Sequence, residues 1–508
     1  MAQWFYLSVD IGTGSVRAAL VDRTGTILKI AALEHNQITP RYGWSEQRAD
    51  DWWAGAVHVI RLMVVEAAAL GGRIQALAAC GQMHGTVLIG QNDRPVRETV
   101  PLWNDKRTLP YVQAWEASRA VDDTLRLTAN PATPAWPGFK LQWLRDNDPA
   151  AWAATTCVMM PKDYINLRLT GQRAMDWTDA ACSFLMDPLT GTWSDRMLDL
   201  LGLDAAKLPP VRLPKDILGT VTSAAAAETG LPVGLPVLVG GGDYPMALLG
   251  SGVSRPGMAS EVAGTSSIIT VLADHPIRDP EMCNIGTPEG HWGAFVLLES
   301  GGDSARWARR AIAGGAEDYT QIQARAAEAP PGSEGLLFLP YLMGERLGAH
   351  RNARAQFFGL TARHGASHLH RSVLEGVAFA VNRHLGVMTA ATGARPEQLV
   401  LSGGGAKADV WVQIKASVYD MPILIPSEPE CGVVGCAILA AAATGQFATV
   451  AEAVTAFVRY DREVLPDPKA ATTYARMQPL FERLYANAQQ FYDDLDALAL
   501  GQGDSHVS

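Results

Sequence analysis

The segment Leu7–Asp22, LSVDIGTGSVRAALVD, ends an apolar, β-prone run on a carboxylate, Asp10, and follows it with Gly12, Thr13, Gly14 and Ser15. A second apolar run then carries Arg17 near its start. A hairpin built only for a core has no use for an acid, two glycines and two hydroxyls at its tip. They suit a phosphate. Glycine lets the anion approach the backbone, successive N–H groups form an anion-binding concavity, and Thr13 and Ser15 add hydroxyl donors. Asp10 then suits Mg²⁺, directly or through water, because that ion takes oxygen ligands and keeps several waters. Arg17 reads equally well as support for a polyphosphate and as a solvated strand residue.

A second carboxylate, Asp243, follows the apolar run Pro236–Val239 and the three glycines Gly240–Gly242. An acid there caps the following helix, or it faces a cleft and accepts a proton from a hydroxyl attacking a γ-phosphate. An ordinary Asp pKa of about 4 keeps it ionised at neutral pH. No lysine in the chain follows a glycine, so a Walker A loop is excluded. The run Gly403–Ala408, GGGAKA, carries G-x-G-x-x-A after a strand and before a helix, a weak dinucleotide fingerprint by itself.

The elements that must position these residues are legible as strand, glycine turn and helix. IQALAACGQMHG, GLPVLVGGGDYPMALLG, EQLVLSGGGAKADVWVQIKASVY and MPILIPSEPECGVVGCAILAAAA all read this way. They predict α/β layers around a partly parallel sheet, with ligands at the C-terminal strand edges. One internal echo stands out: VDIGTGSVRAALVD, Val9–Asp22, is matched by VAGTSSIITVLAD, Val262–Asp274. Each is strand, Gly-Thr turn with Ser, strand, aspartate, which predicts two similar domains that each open with a glycine-tipped hairpin. The Gly-, Ser- and Pro-rich stretch Gly250–Ser260 marks the boundary.

The bulk composition agrees. The 508 residues are 48% apolar and 19% charged, ample for large cores. The net charge is −10 with no run of like charges, which argues against nucleic acid and anionic membranes as partners. Cys80, Cys157, Cys182, Cys283, Cys431 and Cys436 form no CxxC, and the chain opens with no basic signal region. Reduced thiols in a cytoplasmic protein are expected. The apolar stretch Cys431–Gly445 is shorter than the ~20 residues a membrane span needs.

Longer patterns carry a resemblance. AQFFGLTARHGASHLHRSVLE (Ala355–Glu375) and PGFKLQWLRDN (Pro137–Asn147) resemble the two signatures of the FGGY family of carbohydrate kinases, within the actin-like ATPase superfamily. WSEQRADDWW, GQMHG, LWND, PKDYINLRLTG, GGGD and FLPYLMGER are similar to its xylulokinase subgroup. The resemblance covers roughly residues 5 to 490. It implies two actin-like (ribonuclease H-like) α/β domains with a cleft between them. Each is a mixed five-stranded sheet flanked by helices: residues 1–253 for sugar, 254–495 for nucleotide, then a poorly ordered tail, 496–508.

The same resemblance implies ATP and Mg²⁺ as cofactors and phosphorylation of a ketose, D-xylulose to D-xylulose 5-phosphate. Ribulose, gluconate, glycerol, erythritol or a dihydroxypentanedione are the alternatives of the same chemistry. A non-catalytic nucleotide-gated relative is the rival class. Asp10 would organise the metal and Asp243 would be the base. Gly12, Thr13, Gly14, Ser15 and Arg17 would hold phosphates, as would Gly264, Thr265 and Ser266. Gly302 and Arg306 would border the nucleotide; Gly404, Gly405, Ala406 and Asp409 would hold its adenosine end. Met83, His84, Trp103, Asn104, Asp105 and Tyr244 would meet the sugar, with Lys140 nearby. A homodimer is expected as well. Tyr244 stands where the subgroup commonly has Asn, and Trp136 sits in a loop shorter than usual. Both bear on which sugar is accepted.

Overall fold

The computed structural model describes residues 3–315, 317–348 and 351–503. The chain divides into two compact units. The first comprises residues 1–256, 273–293 and 430–459; the second comprises 257–272, 294–429 and 460–508.

The first unit is built on a seven-stranded mixed sheet. Six of its strands lie side by side in the order Ile217–Thr220, Pro236–Leu238, Gly72–Gly81, Gln3–Ile11, Ser15–Asp22 and Ile27–Glu34. Gly241–Gly242 also pairs with Gly72–Gly81. The sheet is thus wider than the five strands expected, through an edge strand and this two-residue addition, both too short to leave a periodic pattern. Gln3–Ile11 is antiparallel to Ser15–Asp22 and parallel to Gly72–Gly81, and the register puts Asp10 beside both Arg17 and Cys80.

The period of two assigns the faces. Phe5, Leu7, Val9 and Ile11 enter a core with Trp52, Ala56, Val59, Ile60 and Met63 of the helix Ala49–Ala69. Those positions recur at helical spacing and form one apolar stripe. That helix is long and apolar enough by composition to cross a membrane, and its stripe is covered by the sheet. Tyr6, Ala76, Ala78 and Cys80 enter the opposite core, with Val433, Val434, Cys436, Ala437 and Ile438 of the helix Cys431–Ala443. Small residues on both elements allow close approach, and Ser8 Oγ donates to the Val433 carbonyl at 2.8 Å. All six cysteines are buried and free of disulfides.

The second unit repeats the theme. The strands Trp292–Leu298, Ser267–Ala273, Ala259–Ala263, Leu399–Ser402, Ile423–Pro426 and Tyr460–Val464 are successive neighbours. Ala259–Ala263 pairs antiparallel with Ser267–Ala273 and parallel with Leu399–Ser402. Val262–Asp274 therefore forms the same kind of hairpin as its echo in the first unit, each with a parallel strand beside its first arm. Behind this sheet Lys415 forms an ion pair with Glu261, whose other oxygen accepts the Tyr419 hydroxyl at 2.8 Å, all fully buried.

Much of the C-terminal signature serves this architecture. On the helix Ala366–Thr392, Glu375 accepts the Gly332 N–H at 2.9 Å, the Ser333 hydroxyl at 2.8 Å, the Tyr474 hydroxyl at 2.7 Å and Arg371 Nε at 2.7 Å. The tail expected to be disordered is helical as far as it is described: Tyr492–Gly503 is a helix, and Asp496 is ion-paired with Arg354 at 2.5 Å. Residues 504–508 lie outside the described residues.

Candidate active site

In the first unit the glycine hairpin is shaped by its own backbone. The Gly12 N–H donates to the Ser15 carbonyl at 3.0 Å, closing the turn. The Thr13 carbonyl accepts Gln47 Nε2 at 2.6 Å. Thr13 Oγ1 accepts the Trp103 indole N–H at 3.0 Å and donates to Gln82 Oε1 at 3.3 Å. Gln82 is tied to Gln47 at 2.8 Å, and Trp52 donates to Gln47 at 3.0 Å. Core helix, hairpin tip and the GQMHG turn thus share one amide network. Gln47 and Gln82 lie inside motifs read from the sequence but have no role in that reading; Gln47 stands between Glu46 and Arg48, where nothing local marks it as buried.

Asp10 sits at the strand end with a mostly buried side chain. Its Oδ1 has no hydrogen-bond partner among the described residues, and its Oδ2 is 3.9 Å from Arg17 Nε. Burial raises its pKa above the ordinary carboxylate value, and the Arg17 guanidinium opposes the rise. Arg17 is held in turn by Glu430 at 2.7 Å, a partner 413 positions away with no sequence signal.

Asp243 opens the helix Asp243–Gly250. Its carboxylate accepts the Tyr244 N–H at 2.7 Å, but Gly242 holds the N-cap position and no side chain caps the helix, so the cap reading of Asp243 is not met. Burial, then the negative charge of Asp10, pushes its pKa up to about 7, against hydrogen bonds from backbone N–H groups. The segment before it must cross the neighbouring strand closely. Gly240 has φ +69°, and a Cβ there would lie 1.9 Å from the Ala79 carbonyl oxygen. Met83 lies against Gly242, where an added Cβ would meet its sulfur at 2.8 Å.

His84 adopts φ +66°, a left-handed conformation unusual for a non-glycine residue. Two contacts hold it there. Lys140 Nζ donates to its carbonyl at 2.8 Å, and Trp136 meets its ring edge-on at 5.1 Å. Lys140 also donates to the Ala135 carbonyl at 2.7 Å, and burial lowers its pKa to about 7. Burial and then the Lys140 charge keep the His84 imidazole well below its usual pKa, hence neutral, and its Nδ1 has no partner among the described residues. Trp103 is partly exposed, and Asn104 accepts Gln37 Nε2 at 3.2 Å. Asp105 is buried and fully engaged: Oδ2 accepts the Ser45 N–H and Arg107 Nη2, both at 2.7 Å, while Oδ1 accepts Arg107 Nε at 2.9 Å. It braces the loop from beneath.

In the second unit the equivalent hairpin closes through the Gly264 N–H and the Ser266 carbonyl at 2.9 Å. The helix Gly301–Ala311 begins on it. The N–H groups of Gly302 and Asp303 donate to the carbonyls of Gly264 and Thr265 at 3.0 and 2.9 Å, and a Cβ on Gly302 would lie 2.3 Å from the Gly264 oxygen. Arg306 reaches Thr265 Oγ1 at 3.4 Å and is ion-paired with Asp303 at 2.8 Å. Gly404, Gly405 and Ala406 form a tight turn before the helix Asp409–Tyr419. Asp409 is paired with Arg462 at 2.5 Å, and Arg462 also donates to the Ala406 carbonyl at 2.9 Å. Arg462, on a strand with no motif, was not predicted.

The first unit thus joins a raised carboxyl to a partly unsatisfied one beside a glycine hairpin; the second holds a matching hairpin capped by a helix N-terminus. Residues 5–250 match the FGGY carbohydrate kinase N-terminal domain, and residues 259–444 match the C-terminal domain. The chain is 30% identical to the xylulose kinase of Escherichia coli over 493 residues, 94% of this chain and 98% of that one. It is 29% identical to the xylulose kinase of Lactococcus lactis over 498 residues, 97% and 98% of the two chains. The crystal structure of xylulose kinase from Rhodospirillum rubrum superposes with a TM-score of 0.90 at 30% identity, covering 96% of this chain and all of that one. With both domain models matched and the likeness running nearly end to end, the chain belongs to the FGGY family of carbohydrate kinases, enzymes that use ATP.

Proposed function

We propose that this kinase transfers the γ-phosphoryl group of ATP to the terminal hydroxyl of D-xylulose, giving D-xylulose 5-phosphate. The observation that carries the reading is the pair of carboxyls, Asp10 with an oxygen left unpartnered and Asp243 raised to about 7. The near full-length likeness to proteins named xylulose kinase supports the choice of sugar.

Asp243 accepts the hydroxyl proton as the oxygen attacks phosphorus; a base near neutral pKa is well matched to that task. Mg²⁺ would be held by Asp10, whose unpartnered Oδ1 fits an oxygen-seeking ion, and when bound it supplies neutralising charge to the phosphates. Gly12, Thr13, Gly14, Ser15 and Arg17 line the phosphate site in the first unit; Gly264, Thr265, Ser266, Gly302 and Arg306 line it in the second, where turns closed by their own backbone let an anion approach. Gly404, Gly405, Ala406 and Asp409 take the adenosine end. Met83, His84, Trp103, Asn104 and Tyr244 meet the sugar, and Asp105 supports them from below.

A second reading keeps the chemistry and changes the acceptor to another ketose, sugar acid or polyol. It rests on Trp136, packed edge-on against His84, and on Tyr244 beside the base. The test is ADP release with Mg-ATP against D-xylulose, L-xylulose, D-ribulose, L-ribulose, D-gluconate, glycerol and erythritol. Selective turnover of D-xylulose is expected, with loss on chelation and recovery on added Mg²⁺. Preference for another acceptor overturns the choice of sugar and leaves the kinase chemistry standing. Sugar-independent ATP turnover overturns the kinase chemistry in this chain.

A further inference from the structure

Behind the strand end that carries Asp243 lies a polar cluster the chemistry above does not use. Lys162, Asp163, Asp176 and Asp179 are each 2% exposed or less. Lys162 Nζ donates to Asp163 Oδ1, lies 2.8 Å from Asp176 Oδ2 and donates to the Val239 carbonyl at 3.1 Å. Asn166 Nδ2 donates to the same carbonyl at 2.8 Å. Asp176 Oδ1 accepts the Thr178 hydroxyl, and also the Thr178 and Asp179 N–H groups at 2.8 and 3.1 Å. Thr178 Oγ1 accepts the Gly242 N–H at 2.8 Å. The stretch from Val239 to Gly242 is therefore gripped at both ends, and the next residue is Asp243.

We propose that Thr178 is a positioning residue for phosphoryl transfer: its hydroxyl, oriented by Asp176 and Lys162, fixes the Gly242 N–H and thereby aims Asp243. The inference rests on Asp243 being the base. The Thr178 proton is committed to Asp176, which turns an oxygen lone pair toward Gly242. One ammonium cannot neutralise three buried carboxylates. Both oxygens of Asp179 lack a partner among the described residues, and an ionised carboxylate so placed is costly. An Asp179 that carries its proton avoids that cost. Burial and the charge of Asp176 push its pKa in that direction. With Asp179 neutral, Lys162 faces two carboxylates rather than three, which limits the negative charge behind the base.

The test uses the full chain with Mg-ATP and its best acceptor, comparing Thr178→Val, Thr178→Ser, Asp179→Asn and Asp243→Asn. Thr178→Val is expected to lower kcat by about 100-fold, as misplacement of a reacting group by about an ångström does. Its KM for ATP and its unfolding midpoint should stay close to the parent's. Thr178→Ser should recover kcat to within about threefold, and Asp179→Asn, which mimics the neutral acid, should do as well. Full kcat in Thr178→Val beside an inactive Asp243→Asn overturns the positioning role and leaves the base standing. An active Asp243→Asn overturns the base reading itself. Should Thr178→Val fail to fold, Thr178→Ala takes its place; if neither folds while Thr178→Ser is normal, the hydroxyl is structural and the proposal is wrong. Loss of activity in a folded Asp179→Asn overturns the neutral state of Asp179 and marks it as an anion.

Discussion

Replacing Asp243 by Asn should make the protein a worse catalyst and a more stable one, with a pH dependence set by one carboxyl. The ordinary Asp value is 3.8, and in the fold Asp243 is pushed up to about 7 by burial and by Asp10. Below 3.8 both folded and unfolded chains are protonated and the group is silent. As pH rises above that, the unfolded chain ionises first, so the parent loses stability relative to Asn. Once pH passes about 7 the folded state ionises too, and the loss stops growing. At about 1.4 kcal/mol per factor of ten, the expected advantage of Asn is about 2 kcal/mol at pH 5 and about 4 kcal/mol at pH 8. Denaturant unfolding at pH 4, 5, 7 and 8 reads it. Turnover moves the other way: loss of the base should cost about 10²- to 10⁴-fold in kcat. In the parent, kcat/KM for the sugar at saturating Mg-ATP should fall by about tenfold between pH 8 and pH 6, since the ionised fraction falls that far around a pKa near 7. Parallel stability of the two proteins across pH, or turnover of the variant within threefold of the parent, refutes the reasoning.

Three further outcomes follow from other parts of the structure. Lys140→Met removes the donors to the His84 and Ala135 carbonyls, so the left-handed turn at His84 should loosen and KM for the sugar rise by about tenfold with the fold intact; an unchanged KM in steady-state assays excludes a link between this turn and sugar binding. Gly240→Ala puts a Cβ 1.9 Å from the Ala79 carbonyl at positive φ and should cost more than about 3 kcal/mol, read as a large fall in thermal midpoint or as insoluble protein. Lys415→Met strands Glu261 as a buried unpaired acid and should destabilise by about 3–5 kcal/mol, whereas pairing it with Glu261→Leu and Tyr419→Phe should recover most of that in the same melting experiment.

Local chemistry is legible from residue types and their spacing alone. Asp10 before a Gly-Thr-Gly-Ser tip and Asp243 after three glycines marked a hairpin suited to phosphate and an acid after a strand, because few cores tolerate such residues there. The echo of Val9–Asp22 in Val262–Asp274 announced two hairpins of one kind. Long-range neighbours emerge only on folding. The helix Cys431–Ala443, an apolar stretch too short for a membrane span, packs on the strand that carries Asp10 more than 400 positions earlier, and Glu430 at its start holds Arg17. Asp105 looked like a pocket residue by motif and is instead consumed by Arg107 and Ser45. The ordinary pKa of about 4 expected for Asp243 is overturned too, since burial and a second carboxylate push it up to about 7. Residue type and spacing fix what a group can do; desolvation and long-range packing fix its charge, its aim and its partners.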